Sequence, residues 1–112
     1  MKLVILESPF AAGNGYTVEQ NIEYARAAVR DSLSRGEAPI ASHLLYTQPG
    51  ILNDDIPEER SWGINAGLAW KEVASGSVVY VDHGISRGMK YGMDAAIAAG
   101  LTVELRRIHA AS

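Results

Sequence analysis

Short apolar runs alternate with helix-like segments along this chain, and that alternation constrains the fold more than any other feature. The run KLVILES (2–8) is apolar on both faces, which is typical of a strand buried inside a parallel sheet. Three further strands are predicted, each separated from the one before it by a helix, so the order of elements is β-α-β-α-β-α-β. This order predicts a parallel sheet with right-handed crossovers and helices on both faces.

The predicted elements make up one domain over residues 1–112. The strands are predicted at 2–8, 38–46, 76–81 and 101–108, and the last has the alternating pattern of an edge strand. The helices are predicted at about 18–34, at about 57–74, and from Ser86 to Gly100. We therefore expect a small three-layer α/β/α sandwich, Rossmann-like or flavodoxin-like, whose four parallel strands lie in the order 2-1-3-4.

Sequence patterns also predict how the first two helices are capped and which face of each is buried. Thr17 and Gln20 form a capping box at the start of the first helix, and Asp55 is the predicted cap of the second. The apolar stripe of the first helix comprises Val18, Ile22, Ala25, Val29 and Leu33, and that of the second comprises Ile64, Leu68 and Val73. Trp62 and Trp70 lie on one face of the second helix and are interpreted as helix packing or a subunit interface.

Composition excludes several classes of function. The chain carries a formal net charge of −3 with no basic stripe, which argues against nucleic-acid binding. The absence of cysteine fits a cytoplasmic protein, and the three histidines lack metal-ligand spacing, so neither metal nor cofactor is expected. The apolar stretch at the start is too short for a secretory signal or a membrane span. A domain of this size often completes its packing by self-association, so we expect a homo-oligomer.

A ligand site is expected beyond the carboxyl ends of strands one and three, because the order of the strands reverses there. Two glycine-rich loops meet at this point, ESPFAAGNGYT (7–17) and VDHGISRGM (81–89). The second loop leads into a helix whose unpaired backbone N–H groups favour a phosphate or carboxylate. Ser86 is the predicted N-cap of this helix, and Arg87 adds a positive charge. A strand–turn–helix junction requires such glycines even without a ligand, so both interpretations remain open.

Several side chains near these loops have alternative interpretations. Asp82 either binds a ribose hydroxyl or begins the turn. Glu7 is an unusual carboxylate for the end of a buried strand, which makes it a candidate for facing the site. Tyr16 either stacks on a base or packs in the core. His83 is interpreted as an inert loop residue, and His43 as a residue satisfied inside the fold.

Gly88 and Gly92 lie one turn apart inside the third helix, where glycine costs about 1 kcal/mol relative to alanine. Both lie on one helical face. Their missing side chains admit either a ligand or a neighbouring helix.

Five segments give nearly the whole chain a resemblance to a known family. They are ESPF (7–10), NIEYAR (21–26), APIASHLLY (38–46), NAGLAWKEVASGSVVYVD (65–82) and GISRGM (84–89). With them the chain resembles the nucleoside 2-deoxyribosyltransferase-like superfamily, and most of all its short, uncharacterised branch in phages and bacteria. The resemblance implies a nucleoside or nucleotide as small-molecule partner, and cleavage of its N-glycosidic bond by a glutamate at the start of the third helix. It also implies a site completed by a neighbouring subunit.

A nucleotide or nucleoside ligand in the crevice gives expected roles to residues of this chain. Ser8, Pro9 and Phe10 are expected on the base and sugar side, and Gly84, Ser86, Arg87 and Gly88 at the anionic end. Tyr16 and Met89 are further candidates for ligand binding. The carboxylates available for catalysis are Asp94, Asp82 and Glu7.

One departure from the family pattern leaves the activity open. The pattern G-M-E-x-G falls on residues 88–92, so Lys90 stands where the nucleophilic glutamate is expected. A lysine cannot act as that nucleophile without different chemistry, and it repels an oxocarbenium ion. Three functions remain: an N-glycosidase or deoxyribosyltransferase, a catalytically inactive protein that binds or sequesters a nucleotide, such as a phage factor, and a self-associating module with no small ligand.

Overall fold

Residues 1–109 are described by the structure, which is a computed structural model of the chain. The strands are β1 (Lys2–Glu7), β2 (Glu37–Ile40), β3 (Gly76–Tyr80) and β4 (Thr102–Arg106). The helices are α1 (Val18–Ser34), α2 (Ser42–Leu45), α3 (Pro57–Ala69) and α4 (Arg87–Ala98), and a 3-10 turn (Trp70–Glu72) continues α3. In this part of the chain, no helix has both the length and the hydropathy needed to cross a bilayer.

The four strands form one parallel sheet in the order β2-β1-β3-β4, which confirms the predicted topology. Because side chains alternate across a strand, β1 and β3 each send residues to both faces. Val4, Leu6 and Tyr80 pack against α1 on one face, whereas Val79 packs against Met89 of α4 on the other. The predicted three-layer α/β/α sandwich is therefore confirmed.

The first helix begins as predicted, but its buried face includes polar residues that the predicted stripe left out. The side chain of Thr17 accepts a hydrogen bond from the backbone N–H of Gln20, and Gln20 accepts one from Thr17 in return, which confirms the capping box. The buried residues are Asn21, Tyr24, Ala25, Ala28 and Ser32. The predicted stripe is confirmed at Ala25 and at Val29, which is partly buried against the core, and it is wrong at Leu33, which is 49% exposed. Small residues let α1 approach the sheet closely, and the polar ones find hydrogen-bond partners inside.

The second strand is shorter than predicted, because the segment 41–46 is not extended. The chain leaves the sheet after Ile40 and forms the single-turn helix α2. Periodicity cannot distinguish a short apolar strand from a short buried helix. Here the helical arrangement places Leu44 against the core beside Ala41.

The third helix stands away from the sheet. It packs against α2 rather than directly on the strands, and Gly67 permits this approach, since a Cβ there would lie 3.1 Å from the Cβ of Ser42. The prediction that Ile64 and Val73 point inward is wrong, because these side chains are 42% and 60% exposed. The predicted cap is also wrong, since the N-cap is Ile56 and has no side-chain hydrogen bond. The offset of α3 leaves a gap above β1.

A buried ion pair ties the two edge strands together across the sheet. The guanidinium of Arg106 donates to both carboxylate oxygens of Glu37, at 2.6 and 2.8 Å, and also contacts the hydroxyl of Tyr80. The ion pair with Arg106 lowers the pKa of Glu37 to about 2. The pair anchors the face of the sheet opposite the gap.

Candidate functional site

The gap between α3, α4 and the carboxyl end of β1 forms a cavity of about 920 Å³. This volume is large enough for a small organic ligand. The cavity lies at the expected position, where the strand order reverses between β1 and β3. The residues that line it from the two loops named above are Glu7, Ser8, Pro9, Phe10, Ser86, Arg87, Gly88 and Met89.

Glu7 is the carboxyl group at the floor of the cavity. It is the last residue of β1, and its side chain points to the same face of the sheet as Ile5, opposite to Leu6. Burial raises the pKa of Glu7 from 4.5 to about 7. Its carboxyl group is therefore divided between acid and carboxylate near neutral pH, which suits it to proton transfer or to nucleophilic attack.

Ser8 and His43 form a hydrogen-bonded pair in the wall of the cavity. The hydroxyl oxygen of Ser8 lies 2.6 Å from Nε2 of His43, and Ser8 is buried. Burial lowers the pKa of His43 to about 4, so the imidazole is neutral at pH 7. The pair fixes the chain directly after Glu7 against α2, which holds the floor of the cavity in place.

The amino end of α4 lies at the edge of the cavity. Ser86 caps the helix as predicted, because its hydroxyl accepts a hydrogen bond of 3.2 Å from the backbone N–H of Met89. Arg87 lines the cavity from this end, while Arg60 and Lys71 line it from the side of α3. Within residues 1–109 none of these three cations forms an ion pair with an acidic side chain. They give the opening a positive side that suits an anionic group.

Acidic side chains also border the cavity, and they come from a part of the chain that the sequence did not indicate. Asp54 and Glu59 line it near the start of α3, and Asn65 lines it from the middle of that helix. Sequence reasoning missed Asp54 and Glu59, because no local pattern shows that α3 stands off from the sheet. In the described region, no three His, Cys, Asp or Glu side chains are placed to hold a metal ion.

Asp82 and Tyr16 lie outside the lining of this cavity. The carboxylate of Asp82 accepts hydrogen bonds from the hydroxyl of Tyr24 at 2.5 Å and from the backbone N–H groups of Ile108 and His109. Burial alone would raise the pKa of Asp82, but these hydrogen bonds outweigh it and hold the pKa below its ordinary value. The ring of Tyr16 stacks on His83 with centroids 3.6 Å apart.

Gly84 and Asp94 also lie outside it. Gly84 adopts a φ of +86° in the turn after β3, and a Cβ there would lie 2.7 Å from Nδ2 of Asn14. Asp94 is an exposed residue on α4, and its Oδ2 lies 3.7 Å from Nζ of Lys90. The ligand-binding and catalytic roles of these four residues thus stay predictions from the sequence.

Comparison with solved structures places the architecture in a known class. The fold is that of the nucleoside deoxyribosyltransferases: a 2-deoxyribosyltransferase from the psychrotolerant bacterium Bacillus psychrosaccharolyticus matches with a TM-score of 0.64. The two share 19% sequence identity over 94% of this chain and 72% of that one, so the likeness is one of fold. That protein is described as a biocatalyst for the synthesis of antiviral and antitumoral nucleosides.

A family model matches nearly the whole sequence. Residues 2–106 match the family described as a domain of unknown function, DUF7768, and the chain is a member of it. No curated protein matches the chain significantly.

Proposed function

We propose that this protein binds a nucleoside or nucleotide in the cavity between α3 and α4 and cleaves its N-glycosidic bond. The observation that carries the proposal is the placement of Glu7, a partly buried carboxyl group at the floor of a cavity, within a deoxyribosyltransferase-like fold. The base and sugar lie against Ser8, Pro9 and Phe10. The phosphate or 5′-hydroxyl lies at the amino end of α4, near Arg87.

In the proposed reaction Glu7 is the nucleophile. Its carboxylate attacks C1′ of the sugar, the bond from C1′ to the base nitrogen breaks, and the base leaves with a proton from solvent. Water then adds to the glycosyl ester at C1′, which releases the free sugar and returns Glu7 with a proton. A second nucleoside base in place of water makes the reaction a transfer. The exposed position of Lys90 on α4 supports this assignment, because it leaves the cavity to the carboxylate that β1 supplies.

The test is release of free base from a panel of nucleosides and nucleoside monophosphates, followed by liquid chromatography. Glu7→Gln is expected to abolish release, and Glu23→Gln, on the exposed face of α1, to leave it unchanged. The variant Asp94→Asn shows which of the two candidate carboxylates, Glu7 or Asp94, carries out the reaction. Loss of release in that variant but not in Glu7→Gln would assign the chemistry to Asp94 instead.

The second candidate function is binding without turnover, and Lys90 in place of the family's glutamate favours it. The protein is then a cytoplasmic nucleotide-sequestering protein, such as a phage factor. A thermal-shift screen with the same panel distinguishes the two functions, since ligand binding raises the melting temperature whether or not the bond is cleaved. Stabilisation with no free base in any sample supports sequestration, and no stabilisation in any sample contradicts both functions.

We also propose that the protein is a homo-oligomer. The apolar side chains of Trp62 and Tyr91 are 66% and 59% exposed, and a large exposed apolar surface is typical of an interface. Light scattering measures the mass directly. A monomer mass of 12.0 kDa at high protein concentration would contradict the proposal.

A further inference from the structure

We infer that Gly92 is a positioning residue for Glu7: the missing side chain of Gly92 leaves a notch in α4, and the carboxyl group of Glu7 sits in that notch inside the cavity. The inference depends on the proposed function only where it concerns the action of the Glu7 carboxyl group on a ligand. Its position is a property of the fold, and it can be measured without a ligand.

The geometry at Gly92 leaves no room for a side chain. A Cβ atom built on Gly92 would lie 2.8 Å from Cδ of Glu7 and 3.2 Å from Oε1, and it would lie closer still to Oε2. Carbon atoms that are not bonded do not approach to 2.8 Å, so any other residue at position 92 must displace this carboxyl group.

Gly88, one turn earlier on the same helix, provides the contrast. The nearest atom to a Cβ built there is the hydroxyl oxygen of Ser86 at 4.0 Å, which is ordinary van der Waals contact at most. Gly92 lies in the interior of α4, where glycine is unfavourable, whereas Gly88 lies in the first turn. The structure therefore gives a steric reason for the glycine at 92 and none for the glycine at 88.

The carboxyl group of Glu7 is held by packing and not by a charged partner. β1 pairs with β3 up to its last residue, which fixes the backbone of Glu7 beside Val79. The titratable groups that line the cavity around it are His43 on α2 and Tyr46 after it, Asp54 before α3, Glu59, Arg60 and Lys71 on or after α3, and Arg87 and Tyr91 on α4. Over residues 1–109, none of these groups forms an ion pair or hydrogen bond with Glu7. Its position consequently depends on the shape of α4 at residue 92.

The test compares Gly92→Ala with the matched variant Gly88→Ala, with the side-chain carboxyl of Glu7 titrated by carbon-13 NMR and assigned from the signal lost in Glu7→Gln. In the native protein and in Gly88→Ala, the midpoint is expected near pH 7. In Gly92→Ala the carboxyl group is pushed out of the notch towards water, so its midpoint is expected to fall by at least one pH unit. An unchanged midpoint in a folded Gly92→Ala protein would overturn the inference.

A double variant keeps the test decisive if Gly92→Ala folds poorly. Shortening Glu7 to alanine removes the overlap. At pH 4, where the carboxyl group of Glu7 carries its proton, Gly92→Ala is expected to raise the melting temperature in the Glu7→Ala background, because alanine is the better helix former, and to raise it less in the native background, where the carboxyl group must move. An equal change in both backgrounds would contradict the inference. Absence of ligand binding and base release, with these results otherwise as expected, would refute the proposed function and leave the role of Gly92 intact.

Discussion

The buried carboxyl group of Glu7 makes the stability of this protein depend on pH in a way that one substitution isolates. In the unfolded chain the group loses its proton near pH 4.5, whereas in the folded protein it keeps the proton until about pH 7. Between these values the folded state binds more protons than the unfolded state, so the free energy of unfolding falls as the pH rises. The penalty is absent below pH 4.5 and complete above pH 7.

The size of the penalty follows from the difference between the two pKa values. That difference is about 2.5 pH units, and about 1.4 kcal/mol for each unit gives about 3 kcal/mol at pH 8. Glu7→Gln replaces the carboxyl group with a neutral amide of the same size, which removes the penalty. The variant is therefore expected to be about 3 kcal/mol more stable than the native protein at pH 8, and nearly equal to it at pH 4.

Urea unfolding at pH 4, 6 and 8, followed by circular dichroism, measures this difference. Other groups with shifted pKa values, such as His43 and Glu37, are common to both proteins and cancel in the comparison. The control is Glu23→Gln, whose carboxyl group is exposed and whose stability should parallel that of the native protein. A difference between Glu7→Gln and native protein that stays constant from pH 4 to pH 8 would refute the account of Glu7 as a carboxyl buried without a partner.

Three further predictions follow from the same structure. Arg106→Met leaves Glu37 buried and unpaired, so it should cost about 3–5 kcal/mol in urea unfolding at pH 7, whereas Arg35→Gln, at an exposed ion pair, should cost at most about 1 kcal/mol. The rate of base release should rise as the pH passes through about 7, because the ionised form of Glu7 attacks; a falling rate would make Glu7 a proton donor. Tyr24→Phe removes the hydroxyl hydrogen bond to Asp82 and should lower the free energy of unfolding by about 1–3 kcal/mol, and an unchanged melting temperature would contradict this.

The sequence correctly predicted the features that depend on local pattern or on chain order. The capping box at Thr17 and the cap at Ser86 were correct, because the chemistry of a helix end involves residues only three apart. The strand order was correct because right-handed crossovers leave few topologies for an alternating chain. That order in turn located the cavity at the ends of β1 and β3.

The same reasoning failed wherever the outcome depended on which surface an element meets. The predicted stripe of α1 left out Asn21 and Ser32, which find partners inside the fold, because no hydropathy pattern reveals a partner elsewhere in the chain. The segment after Ile40 was predicted as strand because short apolar runs fit either structure. Residues Ile64 and Val73 were expected inside because the sequence does not show that α3 packs on α2.

For this protein, then, the sequence by itself determined a four-stranded parallel sheet, the order of its strands and the end of the sheet at which the cavity lies. Only the tertiary structure decided that α3 stands off from β1, that Glu7 lies at the floor of the resulting cavity, and that Gly92 makes room for it. The physical reason is that hydrogen-bonding pattern and connection handedness act along the chain. The burial of the Glu7 carboxyl group instead depends on Gly92, which lies 85 positions further along the sequence. Only the folded chain brings these two residues together.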